Sequence, residues 1–167
     1  MPDDILTLQL IHPLTLSSHA GDLAVRPLRI SDRDSLAQLY LASYPPNVGS
    51  ANLADAAAEM DSTLSGEYGS LRFDASFIAL VDKTPVGAIL TTSRSIWDQD
   101  LEGPFIIELF VSPSHRGQGA GRLLVIQASR ACEQNLDPAL SLRVGKGTSP
   151  AAFRLYEQLG FRRRSQI

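Results

Sequence analysis

The sequence predicts an α/β protein, a mixed sheet with flanking helices, and three observations carry that expectation. Short apolar runs rich in Ile, Leu, Val and Phe recur along the chain. Between them lie segments whose apolar residues repeat at helical spacing. A glycine-rich stretch, "HRGQGAG" at 115–121, separates the most apolar run from an amphipathic segment, as at a strand–loop–helix junction.

The elements follow in order. "ILTLQLI" (5–11) alternates imperfectly and reads as a strand, with a polar connection to Asp22; "LAVRPLRI" (23–30) reads as a second. Ser31, with Asp34 three positions on, marks a helix start, and Leu36, Leu39 and Tyr40 form its apolar face. "YPPNVGS" (44–50) breaks that helix. Asn52 caps the next, with Leu53, Ala57, Met60 and Leu64 on one side. "SFIALVD" (76–82), a turn at "KTP" and "VGAILTTS" (86–93) form an antiparallel hairpin. "WDQDLEGP" (97–104) is a polar connection into the apolar strand "FIIELFV" (105–111). After the glycine loop, Ala120, Leu123, Leu124, Ala128 and Ala131 mark a helix of about 15 residues. "ALSLRV" (139–144) is a further strand and "GKGTSP" a turn. Ser149 caps a last helix whose first position is Pro150, with Ala152, Leu155, Tyr156 and Leu159 as its buried stripe. Gly160 ends it, and Phe161 opens another strand.

Composition bounds the function. The 167 residues are read as one domain, 1–167, with 44% hydrophobic and 20% charged residues. A net charge of −3 argues against a general nucleic-acid binder. Cys132 is the single cysteine, so no intrachain disulfide is expected and a reducing compartment fits. The acidic start lacks the basic flank and apolar core of a signal peptide, and no run reaches the length of a membrane span. The expectation is a cytoplasmic protein with no membrane association. His12 and His19 lack metal-ligand spacing, and no metal is expected.

The glycine loop needs a reason, because glycine costs about 0.5–1 kcal/mol relative to alanine inside regular structure. At a helix N-terminus the first backbone N–H groups are unpaired and the dipole is positive, so phosphate binds there if no side chain blocks it. Gly117, Gly119 and Gly121 remove blocking Cβ atoms, while Arg116 and Arg122 add charge. "GAGRLL" lacks the Lys–Ser/Thr end of a Walker loop, and "GQGAG" lacks the G-x-G-x-x-G interval. Neither ATP nor NAD is indicated.

Residues 116–121, Arg-Gly-Gln-Gly-Ala-Gly, fit the Arg/Gln-x-x-Gly-x-Gly/Ala pattern of the GNAT superfamily of acyl-CoA-dependent N-acyltransferases. "AAFRLYEQLGF" (151–161) resembles that family's second signature, A-x-x-x-Y-x-x-x-G-F, and both stand in the family's order. The resemblance makes residues 23–167 the core and 1–22 an N-terminal extension. It implies a mostly antiparallel sheet whose one parallel strand pair splays at the CoA site, with a bulge in the first of the two strands. It further implies that the backbone of Gly117, Gln118, Gly119, Ala120, Gly121 and Arg122, flanked by Arg116, holds the CoA pyrophosphate. The backbone of Leu109, Phe110 and Val111 would pair with the pantetheine arm.

The implied reaction is transfer of an acetyl group from acetyl-CoA to a primary amine in a ternary complex. Tyr156 falls on the position whose phenol faces the CoA sulfur, which makes it the candidate acid; it equally belongs to a buried stripe. Glu108, the only carboxylate inside the apolar strand, is the candidate base, or else points to solvent or into the acceptor cleft. Ser149 stands where the family carries Asn, and is either a cofactor contact or only a helix cap. Asp98, Asp100 and Glu102, with Asp55, Glu59 and Asp61, suit a cationic acceptor or are solvated surface acids. Arg162, Arg163 and Arg164 suit the CoA 3′-phosphate or are simply solvated. The family continues past Phe161 with two strands, for which "RRRSQI" is too short. Residues 5–11 or a partner chain would then fill the sheet, and a homodimer stays open. The alternatives are a non-catalytic acyl-CoA-binding or regulatory module of the same fold, and a nucleotide-binding domain of another kind.

Overall fold

Strands and helices follow one another in the order that their periodicities predict. The computed structural model describes residues 4–10 and 21–164; His12 and His19 lie outside them. The strands are β1 (Asp4–Gln9), β2 (Ala24–Pro27), β3 (Phe77–Val81), β4 (Thr84–Thr92), β5 (Phe105–Val111), β6 (Ala139–Val144) and β7 (Arg162–Arg163). The helices are α1 (Arg33–Ser43), α2 (Leu53–Ser65), α3 (Ala120–Gln134) and α4 (Pro150–Gln158). The strands form one sheet in the order β2-β3-β4-β5-β6-β1-β7. Every neighbouring pair is antiparallel except β5–β6.

Strand alternation gives the sheet two apolar faces. On one, Val86, Ile89, Ile106, Leu140 and Leu142 meet Leu124, Val125 and Ala128 of α3 and Tyr156 of α4. On the other, Ile78, Ala88, Leu90 and Phe110 meet Leu36, Leu39 and Tyr40 of α1 and Met60 of α2. Cys132 is buried within the first of these cores, and burial pushes its thiol up to about 12, so it is chemically quiet. Among the described residues no helix is long and apolar enough to cross a membrane.

The N-terminal strand fills the sheet beyond β6. β1 pairs with β6 from Asp4↔Val144 to Gln9↔Ala139, and with β7 through Leu6↔Arg163 and Thr7↔Arg162. Leu6 and Leu8 point into the core, each contributing about 2 kcal/mol of burial. Thr7, on the opposite face, hydrogen-bonds Ser141 Oγ at 2.9 Å, and Arg163 pairs with Asp4 at 2.7 Å.

Three local expectations change. Ser31 does not cap α1; it lies in a 3-10 turn, and the anchor is the next residue. Asp32 accepts two bonds from the Arg26 guanidinium and one from the Arg29 N–H, all at 2.8 Å. The Arg26 bonds hold its carboxyl below the usual range and tie the start of α1 to β2. The β3–β4 hairpin turns at Asp82–Lys83 rather than "KTP", because both residues take positive φ (47° and 66°), as a two-residue type I′ turn requires. Residues 23–30 shorten to a four-residue strand. Asn52 caps α2 as expected, accepting from Asp55 N–H at 2.9 Å.

Candidate active site

β5 and β6 pair only through Phe105↔Ser141 and Ile106↔Leu142, and diverge beyond. On the other side of β5 the register slips: Thr91 faces Ile106 while Leu90 faces Glu108, so Ile107 is an extra, bulged residue. The bulge decides which backbone groups reach the gap. Ser112 N–H donates to Val86 O at 2.8 Å, which fixes the parity of the antiparallel ladder. Glu108 and Phe110 therefore exchange bonds with Leu90 and Ala88, while Leu109 and Val111 turn N–H and C=O toward the divergent side. Phe110 thus differs from its neighbours: its backbone is committed to β4 and its ring is buried against α1.

Both outward carbonyls have partners. Leu109 O accepts from the Tyr44 hydroxyl at 3.3 Å and Val111 O from Arg116 Nε at 3.1 Å. The N–H groups of Leu109 and Val111 are left aimed into a cleft of about 830 Å³. It runs from the glycine loop along β5 to Glu108 and Tyr156, with Lys146 to Ser149 on the far wall.

At the loop end, Gly117 and Gly119 adopt φ of +74° and +91°, conformations that side chains disfavour. Gly119 is the N-cap of α3, and among the described residues no side-chain cap bond is made there, so the N–H groups of Ala120, Gly121 and Arg122 have no intrahelical acceptor. His115, Arg116, Arg122 and Lys146 line this cleft, and Glu108 is the only acid among its described lining residues. Arg116 also braces the framework, since its guanidinium donates to the carbonyls of Val111 and Ser43 and so ties β5 to α1. Gln118 is exposed beside the loop glycines. The Ser149 hydroxyl oxygen caps α4, accepting from Ala152 N–H at 3.1 Å, and still has its own hydrogen to donate into the cleft.

Glu108 points to the α1–α2 face, as its pairing with Leu90 requires, and not to open solvent. Burial pushes its carboxyl up to about 7, with the Tyr44 hydroxyl (3.1 Å from Oε2) pulling it back and Glu59 raising it further. Tyr156 enters from α4. Gly160 and Phe161 close that helix with a Schellman pair, Gly160 N–H to Glu157 O at 3.1 Å and Phe161 N–H to Tyr156 O at 3.0 Å. The Phe161 ring, 5.7 Å from that of Tyr156, sets its direction. Burial, with Glu108 as a smaller cause, raises the Tyr156 phenol well above its ordinary value, and no described residue hydrogen-bonds its hydroxyl.

Sequence reasoning missed Tyr44. It is the C-cap of α1 in extended conformation (φ −119°, ψ 142°), as a residue before proline prefers. Its ring packs edge-on against Tyr40 (5.1 Å) and Phe110 (6.2 Å), and the 45–49 turn closes over it. The outlying acids are mostly engaged: Asp61 with Arg33, Asp98 with Arg143, Asp100 with Arg164, and Glu59 with the Tyr68 hydroxyl. Asp55 is occupied at the Asn52 cap, and Glu102 is exposed. The C-terminal arginines are occupied too, Arg162 with the Glu157 and Phe161 carbonyls, Arg163 with Asp4, Arg164 with Asp100.

The chain is similar to known proteins in family and fold. The family model "Acetyltransferase (GNAT) family" matches residues 33–161. No curated protein sequence matches the chain. A GCN5-related N-acetyltransferase from Sphaerobacter thermophilus superposes with a TM-score of 0.72 at 14% identity, over 97% of this chain and 48% of that one. This chain therefore spans about half the length of that protein. The ribosomal-protein-S18-alanine N-acetyltransferase from Escherichia coli gives 0.64 at 19% identity, covering 84% and 77%. AAC(6')-Iy, solved with the bisubstrate analog CoA-S-monomethyl-acetylneamine, gives 0.63 at 17% identity, covering 85% and 92%. At such identities the likeness is one of fold, and the family model carries the assignment: the chain belongs to the acetyltransferase (GNAT) family.

Proposed function

We propose that the protein transfers an acetyl group from acetyl-CoA to a primary amine, both bound at once in the cleft between β5 and β6. The observation that supports this best is the pair of N–H groups, Leu109 and Val111, turned away from β4 and without an acceptor among the described residues, on a wall that joins the glycine loop to Glu108 and Tyr156. The N–H groups from Gly117 to Arg122 would hold the pyrophosphate, with Arg116, Arg122 and the Ser149 hydroxyl around it. Leu109 and Val111 would align the pantetheine arm, and one of their N–H groups would take the negative charge developing on the thioester oxygen.

The chemistry then divides between two side chains. Glu108, its carboxyl pushed up to about 7 by burial, accepts a proton from the incoming ammonium. The amine nitrogen bonds to the acetyl carbon, the carbon–sulfur bond breaks, the departing sulfur takes the Tyr156 proton, and the second proton shed by the nitrogen passes through solvent to restore the phenol. A phenol raised by burial stays protonated at neutral pH, as this role requires. A cytoplasmic setting suits both the cosubstrate and the single buried cysteine.

Calorimetry with acetyl-CoA tests the cleft, and CoA release over polyamines, antibiotics, amino acids and peptide N-termini tests the reaction. Tight binding with turnover on one of these classes supports the proposal. Binding without turnover on any of them favours a non-catalytic acyl-CoA-binding module, and no heat with any CoA derivative refutes both.

A further inference from the structure

The Tyr44 hydroxyl stands between two acceptors, Glu108 Oε2 at 3.1 Å and Leu109 O at 3.3 Å. A phenol has one hydrogen, so it serves only one of them at a time. Its ring is fixed: Tyr40 and Phe110 pack against it in T-shaped contacts, and even an added Cβ on Gly49 would come within 2.6 Å of Tyr44 Cβ. Only the hydrogen is free to turn. Burial and the neighbouring Glu108 keep the phenol protonated.

When Glu108 is ionised, the carboxylate is the stronger acceptor and takes the hydrogen, since charged acceptors bind about twice as strongly as neutral ones. When Glu108 is protonated, its own O–H donates to the Tyr44 oxygen, and the phenol hydrogen passes to Leu109 O. The groups facing Glu108 are Tyr40 from α1, Tyr44 at its end, Glu59 from α2 and Tyr156 from α4. The nearby cations are occupied, Arg116 by the Val111 and Ser43 carbonyls and Arg143 by Asp98. Among the described residues Tyr44 is therefore the one hydrogen-bond donor to the carboxylate.

We propose that Tyr44 is a positioning residue that couples the two halves of the cleft: ionisation of Glu108 draws the Tyr44 hydrogen away from Leu109 O and frees that carbonyl to accept from an amide of the bound acyl-CoA. By linkage, cofactor binding favours the ionised carboxylate, so the protein releases a proton as acetyl-CoA binds and the base is more fully ionised in the loaded enzyme than in the free one. The proposal rests on the reading of the cleft as an acetyl-CoA site.

The test is acetyl-CoA affinity of the full chain between pH 5.5 and 8.5, measured by calorimetry in buffers of different ionisation heat, with kcat/KM profiles alongside. Tyr44→Phe serves as the internal control, because the ionisation of CoA itself and of His115 is common to both proteins. Wild type is expected to bind about threefold to tenfold more tightly at the alkaline end than the control's own pH trend allows, the worth of one hydrogen bond. Tyr44→Phe is expected to lose that excess and the extra proton release, and the acidic limb of its rate profile moves to higher pH. Glu108→Gln, which cannot ionise, is expected to lose the excess as well. Equal pH dependence in wild type and Tyr44→Phe overturns the coupling, as does its persistence in Glu108→Gln, which decides the matter alone if Tyr44→Phe does not fold. Absence of acetyl-CoA binding in all three proteins at every pH instead refutes the cleft reading on which the coupling stands.

Discussion

Glu108→Gln should make the protein more stable at pH 8 while leaving its stability at pH 4 nearly unchanged. Burial raises the carboxyl from its ordinary 4.5 to about 7. The native state therefore holds this proton more tightly than the unfolded chain does, and stability falls as pH rises through that window. At about 1.4 kcal/mol per pH unit, the full effect above pH 7 is about 3 kcal/mol, and access of water from the open cleft brings it to about 2–3 kcal/mol. Glutamine matches the shape and never ionises, so the variant escapes that cost. For a chain of this size the gain corresponds to a Tm about 5–10 °C higher at pH 8, against a difference of under about 1 °C at pH 4. Turnover should fall by about 100-fold or more, the usual worth of a general base, and the limb of the rate profile near pH 7 should vanish. Chemical denaturation of both proteins at the two pH values reads the first effect, and steady-state kinetics the second. An equal stability difference at both pH values would show that burial is not what holds the proton, and the base assignment would lose its physical ground.

Three further outcomes follow from geometry. Tyr156→Phe should lower kcat by about 100-fold while stability shifts by less than about 1 kcal/mol, because no described residue depends on its hydroxyl; full kcat across pH would remove it from the acid role. A Cβ added at Gly117 meets nothing within 4 Å, so Gly117→Ala should cost only about 1 kcal/mol for its φ of +74°. Its Kd for acetyl-CoA should nonetheless rise by about tenfold, and an unchanged Kd would mean the glycine serves the turn alone. Leu136 is 90% exposed at φ +61°, in the left-handed position after α3 that glycine favours. Leu136→Gly should therefore raise Tm by about 2–4 °C, the left-handed strain outweighing glycine's entropy; a lower Tm refutes this.

Much of this protein is legible because its signals are local. The glycine loop, the Asn52 and Ser149 caps, the amphipathic α3 and the Gly160 closure of α4 depend on neighbours a few residues away, and each appears where spacing puts it. The placement of β1 is half legible. Its alternation marks a strand, yet its site between β6 and β7 depends on partners such as Ser141, 134 positions from Thr7. Tyr44 is illegible as a site residue for the same reason. "YPP" announces a helix end with an extended residue before proline, but nothing in the sequence brings that residue to Glu108, 64 positions away. Ser31 misleads because the start of α1 is held through Asp32 by Arg26 of β2, a partner that local spacing does not show.

The bulge at Ile107 explains why strand assignment alone does not reveal the site. In an unbroken strand, alternation from the buried Ile106 would set Glu108 on that same face, among the apolar side chains of α3 and α4. One added residue shifts everything after it by one place. Glu108 then joins Leu90 on the α1–α2 side, within reach of Tyr44. The same shift turns the amides of Leu109 and Val111 away from β4, toward the gap that β6 opens by diverging. Side chain and backbone are thus set by a single irregularity, and neither arrangement is available without the other. The bulge itself reflects the match between β5 and β4, so it is a property of two strands and cannot be read from the apolar pattern of either one.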